Sequence, residues 1–226
     1  MTHGVLRPEF HAAIERTRDP AYAVGAQAYM KSELPYLGVR TPDLRRAWRS
    51  VFDAHPIETE KEFAAELRDL WDDAEFREDR YTALALLDRY RQWVSLTLLE
   101  RLIVEGAWWD LVDTIARKVG RLLQRDPSVA EDMRAWSRDG NMWKRRVSII
   151  SQLGFKERTD LALLYDCIEP NLDDPEFFVR KAIGWALRDY AWHDPIEVDR
   201  YVREHADRLS PLSRREATKN LARLLP

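Results

Sequence analysis

Two stretches and one arginine place side chains capable of chemistry where simple burial does not account for them. Trp109 stands four residues before Asp113, and residues at that spacing are neighbours on a helix surface. The apolar stripe of the same segment is Trp108, Leu111, Val112, Ile115, Val119 and Leu122, so Trp109 lies one residue off it. An indole is thereby set beside a carboxylate and away from the main buried face. A carboxylate in that position can stabilise positive charge that develops during a reaction, and an indole face attracts cations by about 0.5–2 kcal/mol. Taken singly, each has a plainer reading: an isolated helical Asp is usually a solvated charge, and a lone Trp usually packs against an adjacent helix.

The stretch from Glu176 to Tyr190 repeats the arrangement. Phe178, Ala182, Ala186 and Tyr190 form its expected apolar stripe, while Trp185 shares a face with Lys181 and Arg188. Gly184 costs about 1 kcal/mol of helix stability relative to Ala, which points to a close approach, most simply by another helix. Arg146 precedes Ile149 and Ile150 by three and four residues and so sits among apolar neighbours. A guanidinium there needs an anionic partner. Either an internal carboxylate or a phosphate oxygen suits its planar fork. Lys144, Arg145 and Arg146 are consecutive, and Arg214, Arg215, Lys219 and Arg223 recur at near-helical spacing; alone, each cluster reads as a solvated face.

Other catalytic patterns are missing. There is no Gly-rich phosphate loop, no G-x-S-x-G turn and no H-E-x-x-H helix. His3, His11, His55, His193 and His205 are scattered, so neither a metal nor another cofactor is expected. Cys167 is the only cysteine, which excludes an internal disulfide and suits a small core residue. The net charge of −3 argues against coating nucleic acid by bulk attraction, though not against a local basic groove.

The elements that must position these residues are helices. Apolar residues recur at three- and four-residue intervals and not in alternation, and the spacing predicts helices over 8–18, 20–34, 42–54, 59–72, 76–91, 95–105, 107–124, 127–138, 142–154, 158–169, 175–192, 195–208 and 213–224. Asp-Pro at 19–20, 126–127, 174–175 and 194–195 and Thr-Pro at 41–42 each offer a capping oxygen followed by proline at the first helical position. Short links between short helices imply antiparallel neighbours. No strict repeat and no Pro/Gly/Ser-rich linker divides the chain, so one continuous domain over 1–226 is expected. Periodicity leaves a compact helical domain and a curved stack of helix pairs equally open.

Several blocks, in order along the chain, resemble the AlkD-like family of DNA alkylation-repair glycosylases. They are Tyr29-Met30-Lys31 with Tyr36-Leu37-Gly38, Trp108-Trp109-Asp110-Leu111-Val112-Asp113, Trp143-Lys144-Arg145-Arg146, Glu176-Phe177-Phe178 through Lys181-Ala182-Ile183-Gly184-Trp185-Ala186-Leu187-Arg188, and Pro211 to Ala217. The resemblance implies an all-α superhelical stack of antiparallel HEAT-like helix pairs whose concave face holds duplex DNA. It implies that Asp113 is the catalytic carboxylate, that Trp109 and Trp185 contact the lesion's deoxyribose, and that Arg146 helps to hold the DNA backbone. Tyr29 falls where the family makes another contact near the lesion. Lys31, Arg145, Lys181, Arg188, Arg215 and Lys219 are further candidates for the DNA face. Arg40 departs from the family, where an uncharged residue is expected, and stands either to add a phosphate contact or to alter substrate range.

The implied reaction suits these residue types. A purine alkylated at N3 or N7 already carries positive charge and leaves without a general acid. Charge then develops on the sugar, where a nearby carboxylate can stabilise it and orient water. The implied mode grips sugar and backbone, so that the lesion need not be extruded into a pocket as many base-modifying enzymes require. Two rivals remain at the level of sequence: a catalytically silent relative that binds unusual DNA or RNA structures, and a helical-repeat scaffold for a protein partner, which the acidic net charge would suit. With no run of about 18 apolar residues and no cleavable leader pattern, a cytoplasmic, nucleoid-associated monomer without a membrane partner is expected.

Overall fold

The computed structural model describes residues 4–225; His3 lies outside them. All regular structure among the described residues is helical. The packing divides into two compact units, one ending at Val94 and the other beginning at Ser95.

The first unit contains α1 (Leu6–Ile14), α2 (Pro20–Met30), α3 (Thr41–Ala54), α4 (Glu60–Trp71) and α5 (Arg77–Arg89). Its contacts pair α1 with α3 and with α4, and α4 with α5. Phe10, Ile14, Leu37, Val39, Leu44 and Ala47 form a core cluster. A buried carboxylate organises the loop before α3: Glu78 accepts from the backbone N–H groups of Leu37 (2.9 Å), Gly38 (2.9 Å) and Val39 (3.3 Å). Gly38 has φ +81°, and a Cβ there would strike the Asp19 carbonyl, so the glycine is demanded twice over. The Asp19 N–H donates to the Gly38 carbonyl at 3.2 Å, tying the start of α2 to this loop. α2 itself buries no residue, and its Val24 and Tyr29 are exposed.

The second unit contains α6 (Leu96–Gly106), α7 (Trp109–Arg125), α8 (Val129–Trp136), α9 (Met142–Ile150), α10 (Leu161–Ile168), α11 (Phe177–Tyr190), α12 (Pro195–Glu204), α13 (Pro211–Ala217) and α14 (Leu221–Leu224). Here α7, α9, α11 and α13 pack in succession, each against the next. Sequence neighbours pair as α6 with α7, α8 with α9, and α12 with α13, while α10 packs on α8 and α9. Glycine sets two of these approaches. A Cβ on Gly120 of α7 would strike the Ser151 carbonyl just beyond α9, and a Cβ on Gly184 of α11 would lie 2.5 Å from Glu216 Cβ and 2.7 Å from the Ser213 carbonyl of α13. Tight helix packing thus accounts for the propensity cost at Gly184.

The proline device marks fewer starts than expected. Asp19 and Asp194 do cap their helices, accepting from the N–H groups of Tyr22 and Glu197 with proline following. Asp126 and Asp174 instead accept from Ser128 N–H and Glu176 N–H, two residues on. That closes a turn before the helix, and α8 and α11 begin only at Val129 and Phe177. Thr41 is already helical and Arg40 is the cap residue, with no side-chain bond. Thr59, Ser95, Asn141, Asp160 and Ser210 cap α4, α6, α9, α10 and α13.

Several bounds also shift. The helix expected over 20–34 stops at Met30 because Lys31 turns left-handed, and the one expected over 107–124 starts at Trp109 because Ala107 does the same at the end of α6. The helix expected over 213–224 is two, α13 and α14. In α11 the deepest residues are Val179, Ala182, Ile183 and Leu187, while Phe178 and Tyr190 are only half-buried; the expected stripe is rotated toward Val179 by the demand of packing between α9 and α13.

Candidate active site

The left-handed Ala107, with φ 34°, ends α6, and Trp108 follows in extended backbone as the cap residue of α7. This sharp reversal lays α7 against α6 and makes Trp109 its first helical residue. Leu111, Val112, Ile115, Ala116 and Val119 bury the inner face of α7, as the spacing required. Asp113 lies at the edge of that face with its side chain 16% exposed. Trp109 is half-buried, one turn before it.

Arg146 reaches Asp113 from α9, which Asn141 starts by accepting from the Trp143 N–H at 2.8 Å. The two ends of its fork donate to the two carboxylate oxygens, Nε to Oδ1 at 2.7 Å and Nη2 to Oδ2 at 2.8 Å. Nη1 donates to the Phe178 carbonyl of α11 at 2.6 Å. The guanidinium lies 5.9 Å from the ring centroids of both Phe178 and Trp185. A bidentate, charge-assisted pair of this kind fixes a carboxylate in orientation as well as in charge. The sequence left the partner of Arg146 open between carboxylate and phosphate; it is the carboxylate of Asp113. Behind the pair, Trp108, Trp143 and Phe178 form an aromatic cluster with centroids 5.0–6.2 Å apart.

Three successive helices of one unit therefore converge on one carboxylate. The family model of the DNA alkylation repair enzymes matches residues 10–221. The chain belongs to this family. A predicted DNA alkylation repair enzyme from Enterococcus faecalis has a similar structure, with a TM-score of 0.82 and 29% sequence identity over 91% of this chain and 97% of that one. No functionally curated protein matches the chain.

Among the candidate residues of this alkylation-repair family member, Asp113, Arg146 and Trp185 are brought together. Most of the other basic candidates in the second unit are engaged internally. Arg145 donates to Asp174 Oδ2 at 2.9 Å and to the carbonyls of Asp139 and Gly140. Its neighbour Lys144 lies 2.6 Å from Glu100 and 2.5 Å from Asp139. Lys181 lies 2.7 Å from one oxygen of Glu216, and Arg188 pairs with the other. Hydrogen bonds from Lys181, then from Arg188, hold the Glu216 carboxyl below its ordinary range against the opposing effect of burial. Arg215 and Lys219 have exposed side chains.

In the first unit, Tyr29 is exposed near the end of α2 and Lys31 is the exposed residue that turns the chain there. The Arg40 guanidinium lies 4.6 Å from the Tyr22 ring centroid and 3.9 Å from Asp19, so Arg40 packs on the first turn of α2. Cys167 is fully buried, and burial pushes its thiol up to about 12, which keeps it protonated and unreactive. Among the described residues no group of three His, Cys, Asp or Glu side chains is arranged to hold a metal, and no helix is long and apolar enough to cross a membrane.

Sequence reasoning missed Glu216, Asp174 and the Phe178 carbonyl. Glu216 stands alone among Arg214, Arg215 and Lys219, and an acid inside a basic cluster was the available signal. A backbone carbonyl carries no signal in a sequence.

Proposed function

We propose that this alkylation-repair family member is a DNA glycosylase that hydrolyses the N-glycosidic bond of N3- or N7-alkylated purines in duplex DNA. The observation that supports this most directly is the Asp113 carboxylate, held on both oxygens by Arg146 yet open at the edge of α7, within one assembly with Trp185. In the reaction the bond from C1′ of the sugar to the purine breaks, and its electron pair neutralises the cationic base. Positive charge passes to the sugar, where Asp113 stabilises it. Water adds to C1′ and gives up a proton. Because Arg146 already fixes Asp113, the carboxylate needs no reorganisation as the charge appears, which is the source of an electrostatic rate gain.

Trp109 and Trp185 present indole to the same sugar, each worth roughly 0.5–2 kcal/mol by cation–π attraction. A guanidinium has five N–H donors. Three are used by Asp113 and Phe178 and the side chain is 4% exposed, so a second duty for Arg146 on the backbone rests on the two N–H groups that remain. The succession of α7, α9, α11 and α13 fits the row of helices expected to line a concave DNA face of a HEAT-like stack, with Arg215 and Lys219 as further contacts; Tyr29 and Lys31 are candidate DNA contacts of the first unit.

The test is release of free base from duplex DNA containing 7-methylguanine or 3-methyladenine, by wild type and by Asp113→Asn, with circular dichroism showing that the variant is folded. Removing one aimed electrostatic partner is expected to cost roughly 10²–10³ in rate. No release by wild type would overturn the enzyme reading, and equal release by the two proteins would remove Asp113 from the mechanism.

A further inference from the structure

One half-buried face of α11 carries Lys181, Trp185 and Arg188, and its line does not stop at the candidate site. Gly184 sets α11 against α13 on one side, and Phe178 and Trp185 look toward Arg146 of α9 on the other. Along this face lie Lys181, Trp185 and Arg188, at helical intervals of four and three residues, with the two cations paired to Glu216 of α13. The next position on the same stripe, four further on, is Trp192. Its backbone continues the right-handed path: Ala191 has φ −58° and ψ −20°, its N–H donates to the Leu187 carbonyl at 2.9 Å, and the Trp192 N–H donates to the Asp189 carbonyl at 3.3 Å. The stripe therefore alternates cation, indole, cation, indole.

Trp192 is 56% exposed, so its indole, apolar in body with one polar N–H, is accessible to a ligand. Arg223 of α14 places its guanidinium 4.9 Å from the Trp192 ring centroid, and its side chain is also exposed. The pair is thus an oriented aromatic plate carrying a cation that no carboxylate among the described residues neutralises, and not a fragment of core.

We propose that Trp192 and Arg223 form a second DNA contact, which takes a phosphodiester of the strand flanking the lesion. This rests on the glycosylase reading, because it is Trp185 at the lesion's sugar that aligns the stripe with a strand. Trp192 follows Trp185 by seven residues, the last two in the turn beyond α11, which at helical rise is about 10 Å along the axis. At about 3.4 Å of rise per nucleotide of one strand, the second contact falls roughly three nucleotides from the lesion. The guanidinium supplies the charge for a phosphate oxygen, and the indole beneath it holds the fork in place and covers the deoxyribose edge.

The measurement is the Kd of Trp192→Ala and Arg223→Gln for three 7-methylguanine duplexes: one with long flanks, and two cut about two nucleotides from the lesion on the 5′ or the 3′ side. Both substitutions fall at exposed side chains, and circular dichroism confirms folding. Each should weaken binding to the long duplex roughly fivefold, with the salt slope reduced by about one unit for Arg223→Gln. The penalty should vanish on one of the truncated duplexes. Unchanged Kd values, or equal losses on all three duplexes, would overturn the contact, as would a wild-type dimer that Trp192→Ala makes monomeric. A wild type that releases no base fails the glycosylase reading instead, so the two failures are told apart.

Discussion

The smallest unit that matters here is the bond pattern of one guanidinium. Arg146 spends two nitrogens on the two oxygens of Asp113 and a third on the Phe178 carbonyl, so it joins α7, α9 and α11 through a single side chain. Lysine carries the same charge but cannot reproduce a planar fork. Arg146→Lys should therefore leave Asp113 charged and badly aimed, with single-turnover excision reduced on the order of 10²-fold. A rate equal to that of wild type would show that charge alone suffices. The plainer readings of the same residues are answered at this scale too: Asp113 is not a solvated surface charge, and the internal partner of Arg146 is a carboxylate.

Between elements, the decisive contact is α11 on α13. Alanine is intrinsically better than glycine in a helix by about 1 kcal/mol, but at position 184 its Cβ would lie 2.5 Å from Glu216 Cβ and 2.7 Å from the Ser213 carbonyl. Neither is the end of a flexible chain, so overpacking outweighs propensity. Gly184→Ala should be less stable by about 1–3 kcal/mol in urea denaturation; a stabilised variant would mean that α13 moves aside freely. Glu216 joins the same two helices by charge. Its folded-state pKa is depressed, so its contribution is complete above the ordinary carboxylate range and is lost as pH falls through the lower folded value. Glu216→Gln should be less stable at neutral pH by about 1.5–3 kcal/mol, the worth of hydrogen bonds to a charged group. Its stability should also lack that part of the acid decline. The same substitution releases Lys181 and Arg188, so duplex affinity should rise at low salt and fall more steeply as salt is added.

For the whole molecule the governing fact is a net charge of −3 with most of the basic candidates of the second unit already paired. DNA binding cannot be driven by overall attraction and must come from a few local contacts. With three or four phosphates engaged, log K against log salt should fall with a slope of about −2.7 to −3.6, measured by fluorescence anisotropy with lesion-free duplex. A slope near zero would favour a protein-binding scaffold over a DNA enzyme.

The helical class, the buried faces of α7 and the residue types able to do chemistry are local properties, and the sequence by itself determined them. Periodicity of three and four, capping chemistry and the position of Asp113 off the apolar stripe of α7 all act within a few residues of one another. Where α8 and α11 begin was misjudged because the side chain of an Asp before Pro can close a turn as readily as it caps a helix. Which carboxylate neutralises which cation was decided only by tertiary packing. Asp113 and Arg146, Asp174 and Arg145, and Glu216 with Lys181 and Arg188 are each about thirty residues apart, and nothing local chooses among many possible partners. The succession of α7, α9, α11 and α13 makes that choice, because glycine at 120 and 184 lets the helices approach closely enough for short-range hydrogen bonds to form.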